Sequence, residues 1–163
     1  MEPIILYPHD PEWLVSFEKE KAKLIETLPI TISDVHHVGS TAVPGLLAKP
    51  VIDIAIESTC YPPAIDIQEA LAGIGYEYKG ESGIKGRIWF IKGHPRAFNL
   101  HYCLVGSDIV RKQVQFTKRL KESASLRAEY QALKSKNYKG KDIDDAEYAL
   151  SKSMLIEKAL SKS

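Results

Sequence analysis

Residues 37–53 read HVGSTAVPGLLAKPVID and place the turn Gly39-Ser40 between an apolar strand and a second strand that contains one acid, Asp53. Glycine lets the backbone reverse sharply, and the backbone amides and hydroxyl groups of such a turn can face phosphate oxygens. A carboxylate on the next strand can bind the divalent cation that accompanies those phosphates. The stretch therefore predicts a phosphate site at Gly39, Ser40 and Thr41, with Asp53 as a metal ligand.

Asp53 interrupts the otherwise apolar strand 51–56, VIDIAI. Burying an ionised carboxylate is costly unless it is paired or coordinates a cation, so the alternative to a Mg²⁺ ligand is a salt bridge to a lysine such as Lys49. A two-metal transfer site commonly has a second carboxylate two residues along the same strand, where this chain has Ala55. Glu57 shares the face, but at ~3.3 Å per residue it lies about 13 Å from Asp53. The carboxylate set is therefore incomplete.

The spacing of the glycine turn excludes one familiar phosphate-binding motif. Gly39 and Gly45 are six residues apart instead of five, and Lys49 follows Gly45 by four residues instead of one. A Walker-type kinase loop needs the shorter spacings. The alternative to a phosphate site is that Gly39-Ser40 forms an ordinary turn at the end of a strand.

A later strand, residues 97–104, places polar side chains on one face. Alternation puts Asn99, His101 and Cys103 on one side of the strand and apolar residues on the other. Asn99 and His101 can donate to phosphate or hold a metal, and His101 can serve as a general base in catalysis. The alternative is a pair of hydrogen-bonded residues on an open sheet face.

Three cationic residues near strand ends can neutralise phosphate charge. Lys49 is favoured most, because Pro50 restricts the backbone next to it and Asp53 follows closely. Arg96 can bind phosphate in a bidentate manner, and Arg87 is the least favoured of the three.

Composition restricts the classes of partner. The chain has 163 residues with 22 Lys+Arg against 21 Asp+Glu, so net charge favours neither nucleic acid nor membrane binding. Residues 107–141 hold ten Lys/Arg against three acids, which we interpret as solvated helix faces, with polyanion or RNA binding as the alternatives. The two cysteines predict neither a disulfide nor a zinc site. No segment reaches the ~20 apolar residues of a membrane span, so we expect a cytoplasmic protein.

The order of predicted elements indicates an α/β fold. A helix opened by Asp10 and Pro11 is followed by strands 30–38 and 51–56, helix 63–71, and strands 76–78, 87–91 and 97–104. From residue 107 onward, three apolar stripes predict helices. We expect a mixed β-sheet flanked by helices in a single domain, residues 1–163, with a helical C-terminal third.

The motifs described above resemble those of the GrpB family. The carriers of the resemblance are HVGSTAVPGL, Lys49-Pro50 and Asp53, together with YPHDPEW, FNLHY, YQALK and YALSKSMLI, so it covers essentially the whole chain. The resemblance implies a nucleotidyltransferase-like fold, with Gly39 and Ser40 at phosphate and Asp53 at metal. It also draws attention to Lys49, Asn99 and His101. Some family members resemble domains fused to dephospho-coenzyme A kinase, which implies a link to a coenzyme A pathway.

The sequence therefore predicts a protein that binds a nucleotide, or another phosphorylated small molecule, with Mg²⁺. Its predicted activity is transfer of a nucleotidyl group to a small acceptor, with Asp53 and His101 as catalytic residues. The alternative is a non-catalytic module that binds a nucleotide or coenzyme A, which the missing acid at Ala55 favours. Neither a membrane nor a nucleic acid is an expected partner.

Overall fold

A five-stranded mixed sheet organises the fold. The computed structural model describes residues 6–28, 32–138 and 145–161, with side chains described outside 135–138 and 145–151. The strand order is β1-β2-β5-β4-β3, and β2 and β5 run parallel while the other neighbours run antiparallel. The elements in chain order are α1 (Glu12–Thr27), β1 (Ile32–Val38), a 3₁₀ turn (Ser40–Ala42), β2 (Ile52–Ser58), α2 (Ile65–Gly73), β3 (Tyr76–Gly80), β4 (Arg87–Lys92), β5 (Phe98–Leu104), α3 (Asp108–Glu122), α4 (Ala124–Tyr138) and α5 (Asp145–Ser161).

These elements confirm the predicted mixed sheet, the flanking helices and the helical C-terminal third. The bounds shift by a few residues: β2 continues to Ser58, where it still pairs with β5, and α2 begins at Ile65, after the proline pair. Two predicted strand residues, 30 and 31, lie outside the described residues, as do the side chains of Ala146, Ala149 and Leu150 in the third stripe. In the described part of the chain, no helix combines the length and apolar character needed to span a membrane.

The first face of the sheet is covered by α1 and α2. Alternation along the strands turns large apolar side chains toward these helices, and burying them supplies the main stabilising free energy of this layer. The fully buried members are Leu24, Ile54, Ile56, Leu71, Leu100 and Tyr102.

The opposite face is covered by α3 over only part of its area. Val38, Ala55 and Cys103 pack with Val110 of α3 in a small apolar cluster. Helices α3, α4 and α5 then pack on one another and on the segment after the 3₁₀ turn, through Val43, Leu46, Phe116, Leu120, Tyr130 and Ala159. Polar residues occupy the sheet beside this apolar cluster, and the candidate functional site lies there.

A buried ion pair fastens α1 to β4. Glu20 is 4% exposed, and its carboxylate accepts hydrogen bonds of 2.7 and 3.0 Å from Lys92 Nζ. Lys92 Nζ also lies 5.3 Å from the centre of the Tyr76 ring. Removing one partner of such a pair leaves an uncompensated charge in the core, which is more costly than losing an exposed pair.

We therefore expect Lys92→Met to lower the free energy of unfolding by about 3–5 kcal/mol. Lys79→Met is the matched control, because Lys79 pairs with Glu77 at 3.0 Å at exposed positions, where a pair contributes about 0–1 kcal/mol. Urea unfolding followed by circular dichroism measures both. Equal losses in the two variants would contradict the account of the α1–β4 anchor.

Candidate functional site

Strand pairing brings the candidate residues of three strands together. In the parallel pair β2–β5, Asp53 lies opposite Asn99, and Ala55 lies opposite His101. In the antiparallel pair β1–β2, Asp53 lies opposite Val38, so the turn at Gly39 begins beside the Asp53 side chain. The structure thus places Asn99 and His101, which the sequence indicated on a later strand, beside Gly39 and Asp53, which the sequence had assigned to one site.

One oxygen of the Asp53 carboxylate is held by two donors. Asp53 Oδ1 lies 3.2 Å from Asn99 Nδ2 and 3.4 Å from His101 Nε2. Burial on its own would raise the pKa of Asp53, but the hydrogen bonds from His101 and Asn99, together with the electrostatic effects of His101 and Lys152, outweigh burial and hold that pKa below its usual value. Asp53 is therefore ionised at neutral pH, and its side chain remains 31% exposed.

The orientations of Asn99 and His101 are fixed by their other partners, Trp89 and Arg87, whose side chains can only donate hydrogen bonds. Trp89 Nε1 donates to Asn99 Oδ1 at 3.2 Å, so the Asn99 amide must turn its NH₂ group toward Asp53. Arg87 Nη1 lies 3.3 Å from His101 Nδ1, and because guanidinium has no acceptor, His101 Nδ1 must accept. The proton of a neutral His101 is then on Nε2, facing Asp53. Both neighbours of Asp53 Oδ1 consequently present N–H groups.

The second oxygen of Asp53 lies against the Gly39 turn. Gly39 has φ +79° and ψ −171°, a backbone conformation open essentially to glycine alone. A Cβ atom built on Gly39 would lie 2.7 Å from Asp53 Oδ2. The Gly39 amide donates to Thr117 Oγ1 of α3 at 3.2 Å, which fastens the turn. The hydrogen bonds from Asn99 and His101 both go to Asp53 Oδ1 and not to Oδ2.

A buried lysine from α4 meets the next residue of the turn. Lys134 is 5% exposed, and its Nζ donates to Ser40 Oγ at 2.6 Å and to the Leu47 carbonyl at 2.9 Å. Burial, together with the positive charges of Lys152 and Lys49, lowers the pKa of Lys134 to about 8, although Asp53 acts in the opposite direction. Lys134 is therefore largely protonated at neutral pH, in a position where it stabilises added negative charge.

Three lysines line a cavity of about 260 Å³ beside this turn. They are Lys49, Lys134 and Lys152, while Asp53 is the sole acid among the described residues that line it. We call it the lysine cavity. Because the cations outnumber the acid, the lysine cavity is suited to a multiply charged anion.

A larger cavity of about 520 Å³ shares Gly39, Ser40, Asp53, Tyr130 and Lys152 with the lysine cavity. Its remaining wall mixes polar residues with apolar ones, among them Ile84, Ile109, Phe116, Leu120 and Ile156. Its second acid, Glu157, has Oε1 at 3.6 Å from Lys112 Nζ. A group with both apolar and charged parts fits such a space.

The other predicted residues fall into different places. Lys49 is exposed and lines the lysine cavity, as Thr41 does, although the Thr41 hydroxyl bonds His37 Nε2 at 2.9 Å. Arg96 does not line either cavity and instead lies 5.2 Å from the Trp89 ring. Arg87, which we favoured least, is buried and lines the larger cavity. Of these two arginines, Arg87 and not Arg96 lies at a cavity of the candidate site.

Sequence reasoning missed Lys134, which lies in the basic run 107–141, and Lys152, which lies beyond it in the C-terminal helical third. We interpreted residues 107–141 as solvated helix faces, and for Lys134 that interpretation is wrong, since Lys134 is buried. A signal was present: Lys134 follows Tyr130 by four residues and therefore lies on the apolar face of α4. The alternative of a salt bridge between Lys49 and Asp53 is not what the structure shows, because Asp53 is hydrogen-bonded by Asn99 and His101.

The structure also shows why neither Ala55 nor Glu57 supplies a second carboxylate beside Asp53. Ala55 is fully buried in the apolar cluster under α3, so the place of a second strand acid is filled by packing. Glu57 bonds His36 Nε2 at 3.2 Å, and Asp34 lies 3.6 Å from the same nitrogen. Glu57 is thus engaged in a separate cluster with Asp34 and His36.

The Gly39 conformation gives a test of this geometry. We expect Gly39→Ala to lower the free energy of unfolding by about 1–3 kcal/mol and to displace Asp53, because the new Cβ would overlap Oδ2. Gly83→Ala is the control, since Gly83 also has positive φ (+86°) but no atom within 4 Å of an added Cβ. Urea unfolding and backbone amide NMR shifts of residues 53 and 99 measure the two effects. Undisturbed amide shifts at these residues in Gly39→Ala would contradict the close contact.

Comparison with known proteins identifies the family. The family model described as GrpB protein matches residues 3–162. UPF0157 protein YqkA of Bacillus subtilis is 34% identical over 132 residues, which are 80% of this chain but 38% of that protein. A UPF0157 protein of Halalkalibacterium halodurans is 29% identical over 98% of this chain and 82% of its own length. The chain thus spans well under half of one of these relatives and most of the other.

Solved structures support both the family and the fold. The crystal structure of GrpB from Enterococcus faecalis superposes with a TM-score of 0.86 and 28% identity, covering 97% of this chain and 98% of that chain. The Cid1 poly(U) polymerase, in a structure described as bound to Mg and 3′-dATP, superposes with a TM-score of 0.52 at 13% identity over 78% of this chain and 41% of that chain. At that identity the likeness shows a nucleotidyltransferase-like fold alone.

A shorter match concerns the predicted coenzyme A link. A dephospho-CoA kinase of Mycolicibacterium paratuberculosis is 38% identical over 77 residues, which are 45% of this chain and 19% of that protein. The family match, in contrast, spans nearly the entire sequence, and the fold agrees with it. On this basis the chain belongs to the GrpB family.

Proposed function

We propose that this protein binds a nucleotide together with one divalent cation at the junction of its two cavities. The observation that carries the proposal is the ionised Asp53 carboxylate, which has one oxygen held by donors and lies in the wall of a cavity lined by three lysines. A carboxylate beside excess positive charge suits a ligand that brings both a cation and several negative oxygens.

The donor set around Asp53 fits a single Mg²⁺. Asn99 and His101 present N–H groups to Oδ1 and so cannot act as metal ligands in this arrangement, which assigns the cation to Oδ2, the oxygen next to the Gly39 turn. Mg²⁺ in nucleotide sites is commonly held by one or two carboxylates, phosphate oxygens and water. When bound, Mg²⁺ would neutralise phosphate charge. With one protein carboxylate available, the cation is expected to bind together with the nucleotide.

The phosphates of the nucleotide belong in the lysine cavity. Ser40 and Lys134 are joined at 2.6 Å, and Lys49 and Lys152 line the same space. Protonated amines in a partly dehydrated cavity bind phosphate more strongly than exposed ones do. The fold shared with Cid1, which is described as bound to Mg and 3′-dATP, supports a nucleotide as the phosphate-bearing ligand.

Nucleotidyl transfer to a small acceptor is the second candidate, and the shared wall of the two cavities favours it. Asp53 borders both, so an acceptor in the larger cavity would adjoin phosphates in the lysine cavity. We propose that His101 positions Asp53 by donating from Nε2, since its Nδ1 already accepts from Arg87. Ala55 is buried where a two-metal transfer site commonly has a second carboxylate, so Asp53 is the acid that remains at this place on β2. The absence of a second acid there favours the alternative of a non-catalytic module that binds a nucleotide or coenzyme A.

Asp53→Asn tests the cation site. We expect the variant to fold, to bind ATP without Mg²⁺ at least as tightly as the wild type does, and to lose the gain in affinity that Mg²⁺ gives the wild type, because a neutral amide is a poor Mg²⁺ ligand. Isothermal titration calorimetry with ATP, and with dephospho-coenzyme A, each with and without Mg²⁺, measures the gain.

Glu57→Gln is the matched control, because Glu57 lies on the same face of β2 and pairs with His36 instead. It should keep the full Mg²⁺-dependent gain. An equal gain in wild type and Asp53→Asn would overturn the cation site. Release of pyrophosphate from nucleoside triphosphates in the presence of small acceptors would favour transfer, while binding without release would favour the module.

The pKa of Lys134 predicts a pH dependence of nucleotide binding. Lys134 is protonated below its folded-state pKa of about 8, and only the protonated amine attracts phosphate. Affinity for Mg²⁺-free ATP should therefore fall as pH rises from 7 to 9.5, and Lys134→Met should bind weakly and lose most of this pH dependence. Titrations at four pH values measure the slope.

The control for Lys134 is Lys118→Met, since Lys118 is an exposed lysine on α3 that lines neither cavity. It should retain both the wild-type affinity and the slope. A slope in Lys134→Met as steep as that of the wild type would contradict the assigned role of this amine.

A further inference from the structure

Arg87 orients His101 through one N–H group, but its buried positive charge has no anionic partner in the proposed nucleotide site. The residue is 6% exposed, and none of the described residues forms a salt bridge with it. Its partners are neutral or aromatic: His101 Nδ1 at 3.3 Å, the Glu81 carbonyl at 3.0 Å and the Trp89 ring at 5.7 Å. Burying guanidinium without a nearby anion is unfavourable, which indicates that an anion is supplied from elsewhere.

The surroundings of Arg87 show where that anion would lie. Arg87 lines the larger cavity, and its Nε is buried with no described acceptor. Gln113, from α3, lines the same cavity, and its Oε1 also has no described donor. Native proteins rarely leave buried polar atoms unsatisfied. The orphan Arg87 Nε is a donor and calls for an acceptor, which an anion supplies, whereas Gln113 Oε1 is an acceptor and calls for a donor elsewhere on the same ligand.

We propose that the larger cavity contains a second anion subsite at Arg87, which binds the carboxylate or phosphate group of a small molecule beside Asp53. Guanidinium binds both groups through a planar, forked arrangement of N–H donors. Apolar residues such as Ile109 and Phe116 line the rest of the cavity and would contact the uncharged part of that molecule. The identification of this molecule as the acceptor of nucleotidyl transfer rests on the proposed function. The anion subsite at Arg87 does not.

A second arginine on the same ring supplies a matched control. Arg96 Cζ lies 5.2 Å from the Trp89 ring centre, compared with 5.7 Å for Arg87, but Arg96 is exposed and lines neither cavity. The chain has two tryptophans, Trp13 and Trp89. An NMR spectrum of the ¹⁵N-labelled protein therefore has two indole signals, and Trp13→Phe assigns that of Trp89.

The experiment titrates malonate, as a carboxylate probe, and inorganic phosphate while following the Trp89 indole signal. The phosphate arm uses Lys134→Met, so that the lysine cavity contributes little. We expect a saturable shift with at least one probe, and the probe that saturates at lower concentration identifies the preferred anion. Arg87→Met should raise the half-saturating concentration roughly tenfold or more, while Arg96→Met leaves it unchanged. Arg87→Lys, which keeps the charge, serves if Arg87→Met does not fold.

Absence of a saturable shift with both probes would overturn the subsite, as would equal saturation in wild type and the Arg87 variants. ATP titration with Mg²⁺ on the same wild-type sample separates the two proposals. Retained ATP binding without a malonate or phosphate response would mean that the Arg87 subsite alone fails. A saturable Arg87-dependent response without ATP binding would support the subsite and contradict the proposed nucleotide site.

Discussion

The parallel pairing of β2 with β5 is the constraint on which the site depends. It sets Asp53 beside Asn99 and His101, whose N–H groups keep an otherwise costly carboxylate ionised within the sheet. Trp89 and Arg87 on β4 in turn orient those two donors. Three adjacent strands therefore hold one oxygen of Asp53 and leave the other beside a turn that only glycine fits.

The C-terminal helices complete the surroundings of this carboxylate. Helix α4 buries Lys134 against Ser40, and α3 closes over Ala55 while its Thr117 fastens the Gly39 amide. Burying Lys134 and Arg87 is unfavourable for folding, since burial lowers the pKa of each. Buried charges that are unfavourable for folding are expected to cluster where residues are selected for binding a ligand and not for stability.

The local elements could be predicted from the sequence because apolar periodicity, glycines and prolines act over short distances. The pairing of Asp53 with Asn99 and His101 could not, because alternation gives the face of a strand but not its neighbour in the sheet. Lys134 and Arg87 show a further limit. An isolated lysine or arginine is usually exposed, and its burial depends on contacts with residues such as Ser40, 94 positions away.

The central claim is that Asp53 and the Gly39-Ser40 turn together receive a cation and the phosphates bound to it. Anomalous diffraction from crystals grown with Mn²⁺ and ATP tests this most directly. The account predicts a Mn²⁺ peak at about 2.0–2.2 Å from Asp53 Oδ2, with phosphate density next to Lys134. A Mn²⁺ peak at the Asp34, His36 and Glu57 cluster instead, with phosphates outside the lysine cavity, would contradict it.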